Sequence, residues 1–236
     1  MAEPGITGEM IEYRLAGGQA TPGYLARPAA PGKYPGVIVI QEWWGLEEHI
    51  KDVARRFAGE GFVALAPDLY HGQIAAEPDE ARKLAMELDR PRAVEEIRQG
   101  MQHLLDSGFI AGDKVGVVGF CMGGGLSLMT ACNSQQVGAA IVFYGGNPNP
   151  IEQVKNIACP VLGIYGEEDQ GLWPAAVDAL KQALDRYHKQ YEVHSYPGAP
   201  HAFFNDSRPQ IYRPEASRDA WAKTLAFYRR NLPKAM

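Results

Sequence analysis

The hydrophobic positions fall into short apolar runs separated by stretches of helical periodicity. Near the start, "EMIEYRL" and "TPGYLARP" predict a short antiparallel strand pair. "PGVIVI" (residues 35–40) is a continuous apolar run, as expected of a strand buried on both faces. In "LEEHIKDVARRFAGEG" the residues Ile50, Val53, Ala54, Phe57 and Ala58 recur at helical spacing, and the pattern stops at Gly59 and Gly61. "FVALAP" predicts the next strand. Residues 78–108 carry two amphipathic helical patterns broken near Arg90-Pro91. "KVGVVGF" reads as a strand leading into a helix over "GGGLSLMTACN", and "GAAIVFYGG" and "CPVLGIYGEED" as two further strands. A helix over "PAAVDALKQALDRYHK", a strand over "QYEVHSYP" and a closing helix over "PEASRDAWAKTLAFYRRNL" complete the pattern. Strands alternating with helices predict an α/β chain, with a mostly parallel central sheet and helices on both faces. In such sheets ligands bind at the carboxyl ends of the strands.

Composition narrows the class. The chain has 236 residues, 46% hydrophobic and 22% charged, the balance of a globular protein in which residues 1–236 form one domain. A formal charge of −5 argues against nucleic acid as a partner. No apolar run approaches the roughly 18 residues of a membrane span. The first ten residues lack the apolar core of a secretion signal, and the cysteine count of three is odd; both point to a reduced, cytoplasmic setting. The six histidines and three cysteines form no CxxC or HExxH pattern, so a structural zinc site is not expected. Cys132 and Cys159 read as buried small hydrophobes. A monomer or small homo-oligomer fits these numbers.

Cys121 reads differently. Gly119-Phe120-Cys121-Met122-Gly123 places a thiol between a predicted strand and a predicted helix in the form Gly-x-nucleophile-x-Gly. That is the setting of a nucleophile elbow, where a strained turn exposes the nucleophile and glycines let strand and helix approach. The helix amino end places a positive dipole near the sulfur, which favours thiolate. A dinucleotide loop needs GxGxxG spacing, which is absent.

A thiol nucleophile needs a base and a group to orient it, in the chain order nucleophile, acid, histidine. "VLGIYGEED" ends a strand and presents Glu167, Glu168 and Asp169; "VHSYPGAPHAF" ends the next and presents His201. Asp169 is the candidate acid, with Glu168 in reserve, and His201 the candidate base. The loop after the first core strand, Gln41-Glu42-Trp43-Trp44-Gly45, nominates the backbone N–H of Trp43, with that of Met122, as an oxyanion hole. Glu42 is a carboxylate between a buried strand and two tryptophans, costly without a partner.

Together with Pro67-Asp68-Leu69-Tyr70, Tyr144-Gly145, Gly166-x-x-Asp169 and His201-Ala-Phe, these motifs resemble the dienelactone hydrolase family over nearly the whole chain. The resemblance implies an α/β-hydrolase fold with a Cys121–His201–Asp169 triad that opens enol-lactones, as of dienelactone to maleylacetate, without metal or organic cofactor. It implies that Glu42 accepts the thiol proton when substrate binds, so that thiolate forms on demand. Trp44 and Tyr144 are then expected to line the substrate pocket, and Asp68 to serve the loop structurally. The family's dienelactone specialists clamp the substrate carboxylate with two arginines. Four positions after the histidine this chain has Asn205, with Arg208 three further on. In the helix after the Pro-Asp-Leu-Tyr strand, Arg82 or Lys83 stands at the other place. Asn205, Arg208 and Arg82 are therefore candidate substrate contacts. The partner is a small ester or lactone; the competing readings are a thioesterase or small peptidase on the same triad, and a non-catalytic ligand-binding or redox-responsive protein of the same fold.

Overall fold

A computed structural model describes residues 5–14 and 20–236. The alternating pattern folds as an eight-stranded sheet in the order β1-β2-β4-β3-β5-β6-β7-β8. The strands are β1 (Ile6–Arg14), β2 (Ala20–Pro28), β3 (Tyr34–Ile40), β4 (Val63–Pro67), β5 (Ile110–Phe120), β6 (Val137–Phe143), β7 (Val161–Gly166) and β8 (Tyr191–Tyr196). The pairs β1/β2 and β2/β4 are antiparallel, and every pairing from β4 through β3 to β8 is parallel. The first predicted strand is displaced slightly toward the amino end; its last expected residue, Leu15, lies outside the described residues.

The apolar runs are continuous because both faces of the parallel strands are covered. On β3, Val37 and Val39 join one core while Ile38 and Ile40 join the other; on β6, Ala139, Ile141 and Phe143 alternate in the same way with Ala140 and Val142. Helices α1 (Glu48–Gly59) and α6 (Pro214–Asn231) cover one face. Helices α3 (Arg90–Asp106), α4 (Met122–Asn133) and α5 (Ala175–Arg186) cover the other. Cys132 and Cys159 are buried in that second core, and burial pushes their thiols up, to about 12 and about 11.

The break in residues 78–108 falls between α2 (Pro78–Glu87) and α3, where the Asp89 side chain accepts from the Arg92 backbone N–H and Pro91 sits in the first turn. Helix α2 packs Ala81 with Trp44 and Ala75 in a small separate cluster over the loop that follows β3. Among the described residues no helix is long and apolar enough to cross a membrane.

Candidate active site

Cys121 lies between β5 and α4 with φ 56° and ψ −118°, a conformation that side chains rarely adopt. Two flanking glycines explain how the turn closes. A Cβ on Gly119 would meet the backbone carbonyl of Gly123, and one on Gly123 would meet the carbonyls of Ile40 and Gln41. Cys121 N–H donates to Phe143 O at 3.0 Å, and Cys121 O accepts from Gly124 N–H at 3.0 Å, so the turn is held from both sides. The helix begins at Met122, one residue earlier than the glycine run suggests, because the strained residue is the cysteine itself.

The ends of β7 and β8 bring the other two predicted groups together. The Glu167 N–H donates to Tyr196 O and the Glu168 N–H to Ala199 O, which fastens one loop to the other. His201 Nδ1 donates to Asp169 Oδ2 at 2.5 Å. Asp169 is buried, while the neighbouring Glu168 is exposed. His201 and Cys121 line the same two cavities. Burial of the ring disfavours its charged form, but its hydrogen bond to the Asp169 carboxylate, together with the influence of the neighbouring Cys121, outweighs this and raises the pKa to about 10. The arrangement is a thiol, an imidazolium and a carboxylate in series.

The loop after β3 supplies the opposite wall. Gln41 Oε1 accepts from the Leu69 N–H at 3.0 Å, tying this loop to the one after β4. Asp68 accepts from the N–H groups of Tyr70 and Gly72, as a structural loop acid should. Trp43 and Trp44 meet edge-on with ring centroids 5.2 Å apart. Glu42 is 1% exposed, and its oxygens accept from Asn205 Nδ2 at 2.7 Å and from Tyr144 Oη at 3.5 Å. Burial and the charge of Glu42 push the Tyr144 phenol well above its ordinary range, so it remains a donor.

Two cavities meet at Cys121 and His201. One, of about 390 Å³, is walled by Glu42, Trp43, Trp44, Arg208 and Ile211. The other, of about 330 Å³, is walled by Arg90, Met122, Met129, Tyr144, Asn147 and Leu172. Arg208 is fixed by stacking, its guanidinium carbon 3.6 Å from the centre of the Trp44 ring, and its buried Nε has no partner among the described residues.

The candidate substrate contacts divide. Trp44 and Arg208 stand in the Cys121 cavity. Tyr144 reaches the second cavity but is 1% exposed and turned toward Glu42. Asn205 is fully buried behind Glu42 and lines neither cavity, because its side chain is consumed by Glu42 and Ser207. Arg82 lies exposed on α2, paired with Asp79 at 3.2 Å, and lines neither cavity; helical geometry turns it outward while Ala81 faces in. Arg90 was not picked out from the sequence. The Arg90-Pro91 break marked a helix start, but only the packed α3 places that start beside Met122. Among the described residues no group of three or more His, Cys, Asp or Glu side chains could hold a metal ion.

A sequence profile of the dienelactone hydrolase family matches residues 21–232. "Protein usf" of Aquifex pyrophilus is 37% identical over 95% of this chain and 99% of its own. A "Putative carboxymethylenebutenolidase" of Saccharolobus solfataricus is 35% identical over 88% of this chain and 93% of its own. Among solved structures, a dienelactone hydrolase of Klebsiella pneumoniae, titled "putative", superposes with a TM-score of 0.87 at 29% identity, covering 94% of this chain and 98% of that one.

Proposed function

The chain belongs to the dienelactone hydrolase family and is a hydrolase, and on that premise we propose that it cleaves carboxylic esters or lactones through a thioester formed on Cys121. The observation that carries this reading is the series Cys121–His201–Asp169, with a 2.5 Å bond from His201 Nδ1 to Asp169 and the thiol held at a strained strand-to-helix turn. With Nδ1 engaged by Asp169, Nε2 is the nitrogen left to serve Cys121. The thiolate adds to the substrate carbonyl, and the developing oxyanion is met by the N–H groups of Met122 and Trp43. The first opens α4, where the helix offers no acceptor; the second makes no backbone hydrogen bond among the described residues. The imidazolium then protonates the leaving oxygen. Water, deprotonated by the imidazole, attacks the thioester and frees the acid and the thiolate, which takes its proton back from Glu42.

Glu42 is the proton acceptor for the thiol as substrate binds. At rest the Glu42 oxygens are held by Asn205 and Tyr144 rather than by the sulfur, so this transfer needs the Cys121 side chain to turn toward the wall of the cavity. The cationic Arg208 side chain lining the cavity beside Cys121 supports a substrate that carries a carboxylate. The name carboxymethylenebutenolidase on a 35% identical relative supports a lactone of that kind. Three free cysteines fit a reducing cytoplasm.

Hydrolysis of p-nitrophenyl acetate tests the reading. Wild type should turn over and lose activity to iodoacetamide, and Cys121→Ala should lose several orders of magnitude in kcat while keeping its melting temperature. A Cys121→Ala variant within about tenfold of wild type would sink the nucleophile assignment. A wild-type protein without turnover on any ester or lactone would favour a binding protein of the same fold.

A further inference from the structure

Asn205 is fully buried and its amide can face only one way. Its Oδ1 accepts from the Ser207 backbone N–H at 3.1 Å and from Ser207 Oγ at 2.6 Å. A backbone N–H can only donate, so the oxygen must lie on that side and the NH₂ group on the other. There Nδ2 donates to Glu42 Oε2 at 2.7 Å. The Asn205 N–H itself donates to Ala202 O at 3.0 Å, so the residue belongs to the turn that carries His201. Glu42 belongs to the loop that carries Trp43. One side chain thus joins the two loops that meet over Cys121.

A second carboxylate, Glu47, stands near Glu42. Burial and the charge of Glu42 raise the Glu47 carboxyl above its ordinary range, against His49, Arg208 and the Asn205 amide, which pull it down. Its Oε1 is buried without a hydrogen-bond partner. Asn205 is therefore a donor set against the buried Glu42 carboxylate, and nothing about that geometry presents it to a substrate. The donor is also uncharged. An amide orients a carboxylate without cancelling its charge, whereas a guanidinium or ammonium in the same place would form an ion pair with it.

We propose that Asn205 is a positioning residue for hydrolysis, its amide holding the Glu42 carboxylate at the wall of the Cys121 cavity. This rests on the reading of Glu42 as the proton acceptor for the thiol. A purely structural tie between two loops would make the same contact, so the experiment must separate the two. It is a double-mutant cycle on kcat and KM for p-nitrophenyl acetate, with Asn205→Ala, Glu42→Gln and the double variant. Asn205→Ala should lower kcat about tenfold or more with KM changed less than about twofold, and should have almost no effect on kcat once Glu42 is already glutamine. Equal losses in the two backgrounds, or an unchanged kcat in Asn205→Ala, would overturn the inference while leaving Glu42 in place. An unchanged kcat in Glu42→Gln would instead remove the reading of Glu42, and the inference with it. Should Asn205→Ala fail to fold, Asn205→Asp keeps the volume and replaces the donor by an acceptor. It should show the same loss and the same dependence on Glu42, and a wild-type kcat in that variant overturns the inference equally. Tyr144→Phe removes only the longer contact to Glu42 and should cost less than Asn205→Ala.

Discussion

Burial alone disfavours the proton on His201; its hydrogen bond to the Asp169 carboxylate, with Cys121 beside it, keeps it on. Because the folded pKa, about 10, lies above the ordinary histidine value, the stabilisation from the imidazolium is complete below about pH 6.5 and is lost as pH rises through about 10. Asp169→Asn removes the carboxylate that holds the proton on Nδ1. In that variant the ring should titrate at lower pH, followed by NMR of the imidazole, and the thermal melting point should fall less between pH 7 and pH 10 than in wild type. Turnover should drop by about a thousandfold or more, because asparagine favours the wrong tautomer and leaves the imidazolium unsupported. If Asp169→Asn keeps the wild-type rate and Glu168→Gln does not, the orienting acid is one residue earlier. The chain alone left these adjacent acids in competition. A shift of one position along a loop changes which side chain turns inward, and that depends on how the Glu167 and Glu168 amides pair with the loop after β8.

At the scale of an element, the elbow is a packing problem. Gly123 sits where α4 starts, facing the carbonyl oxygens that end β3, and backbone cannot retreat from a methyl group as a flexible side chain can. Gly123→Ala should destabilise by roughly 1–3 kcal/mol in urea unfolding and should lower kcat, since relief of the clash moves the Cys121 turn. Gly59, at the end of α1, has nothing within 4 Å of an added Cβ, and Gly59→Ala there should be neutral or stabilising by less than about 1 kcal/mol. A destabilising Gly59→Ala with a silent Gly123→Ala would contradict this account of the turn. The element boundaries that periodicity placed well are those with a local cause: the Gly59–Gly61 stop after α1, and the start of α3 at Asp89 with Pro91 behind it. The amino end of β5 is misplaced by several residues because Ile110 pairs with Tyr34 of β3 ahead of an irregularity in the register that no periodicity encodes.

At the scale of the whole molecule, the site is a meeting of loops from the ends of β3, β5, β6, β7 and β8, separated by up to about 160 residues of chain but adjacent in a parallel sheet. Arg208 is useful only in that assembly, where Trp44 from the β3 loop stacks on it beside Cys121. Arg208→Gln should raise KM for p-nitrophenyl hemisuccinate, an ester with a free carboxylate, by about tenfold and leave KM for p-nitrophenyl acetate within about twofold. Equal changes for both esters would mean that Arg208 shapes the cavity without reading charge. The sequence by itself determined the sheet and its layers, since continuous apolar runs and amphipathic periods are local consequences of burial on two faces or one. It also determined the candidate nucleophile, base and acid, because a glycine-flanked thiol and strand-end polar residues stand out where they are. Only the tertiary structure decided what each remaining polar side chain faces. It turned Arg82 to the surface, drew Arg90 into the second cavity, and took Asn205 from the substrate to Glu42. Those outcomes depend on long-range contacts between loops, and nothing in the spacing of residues along one chain records them.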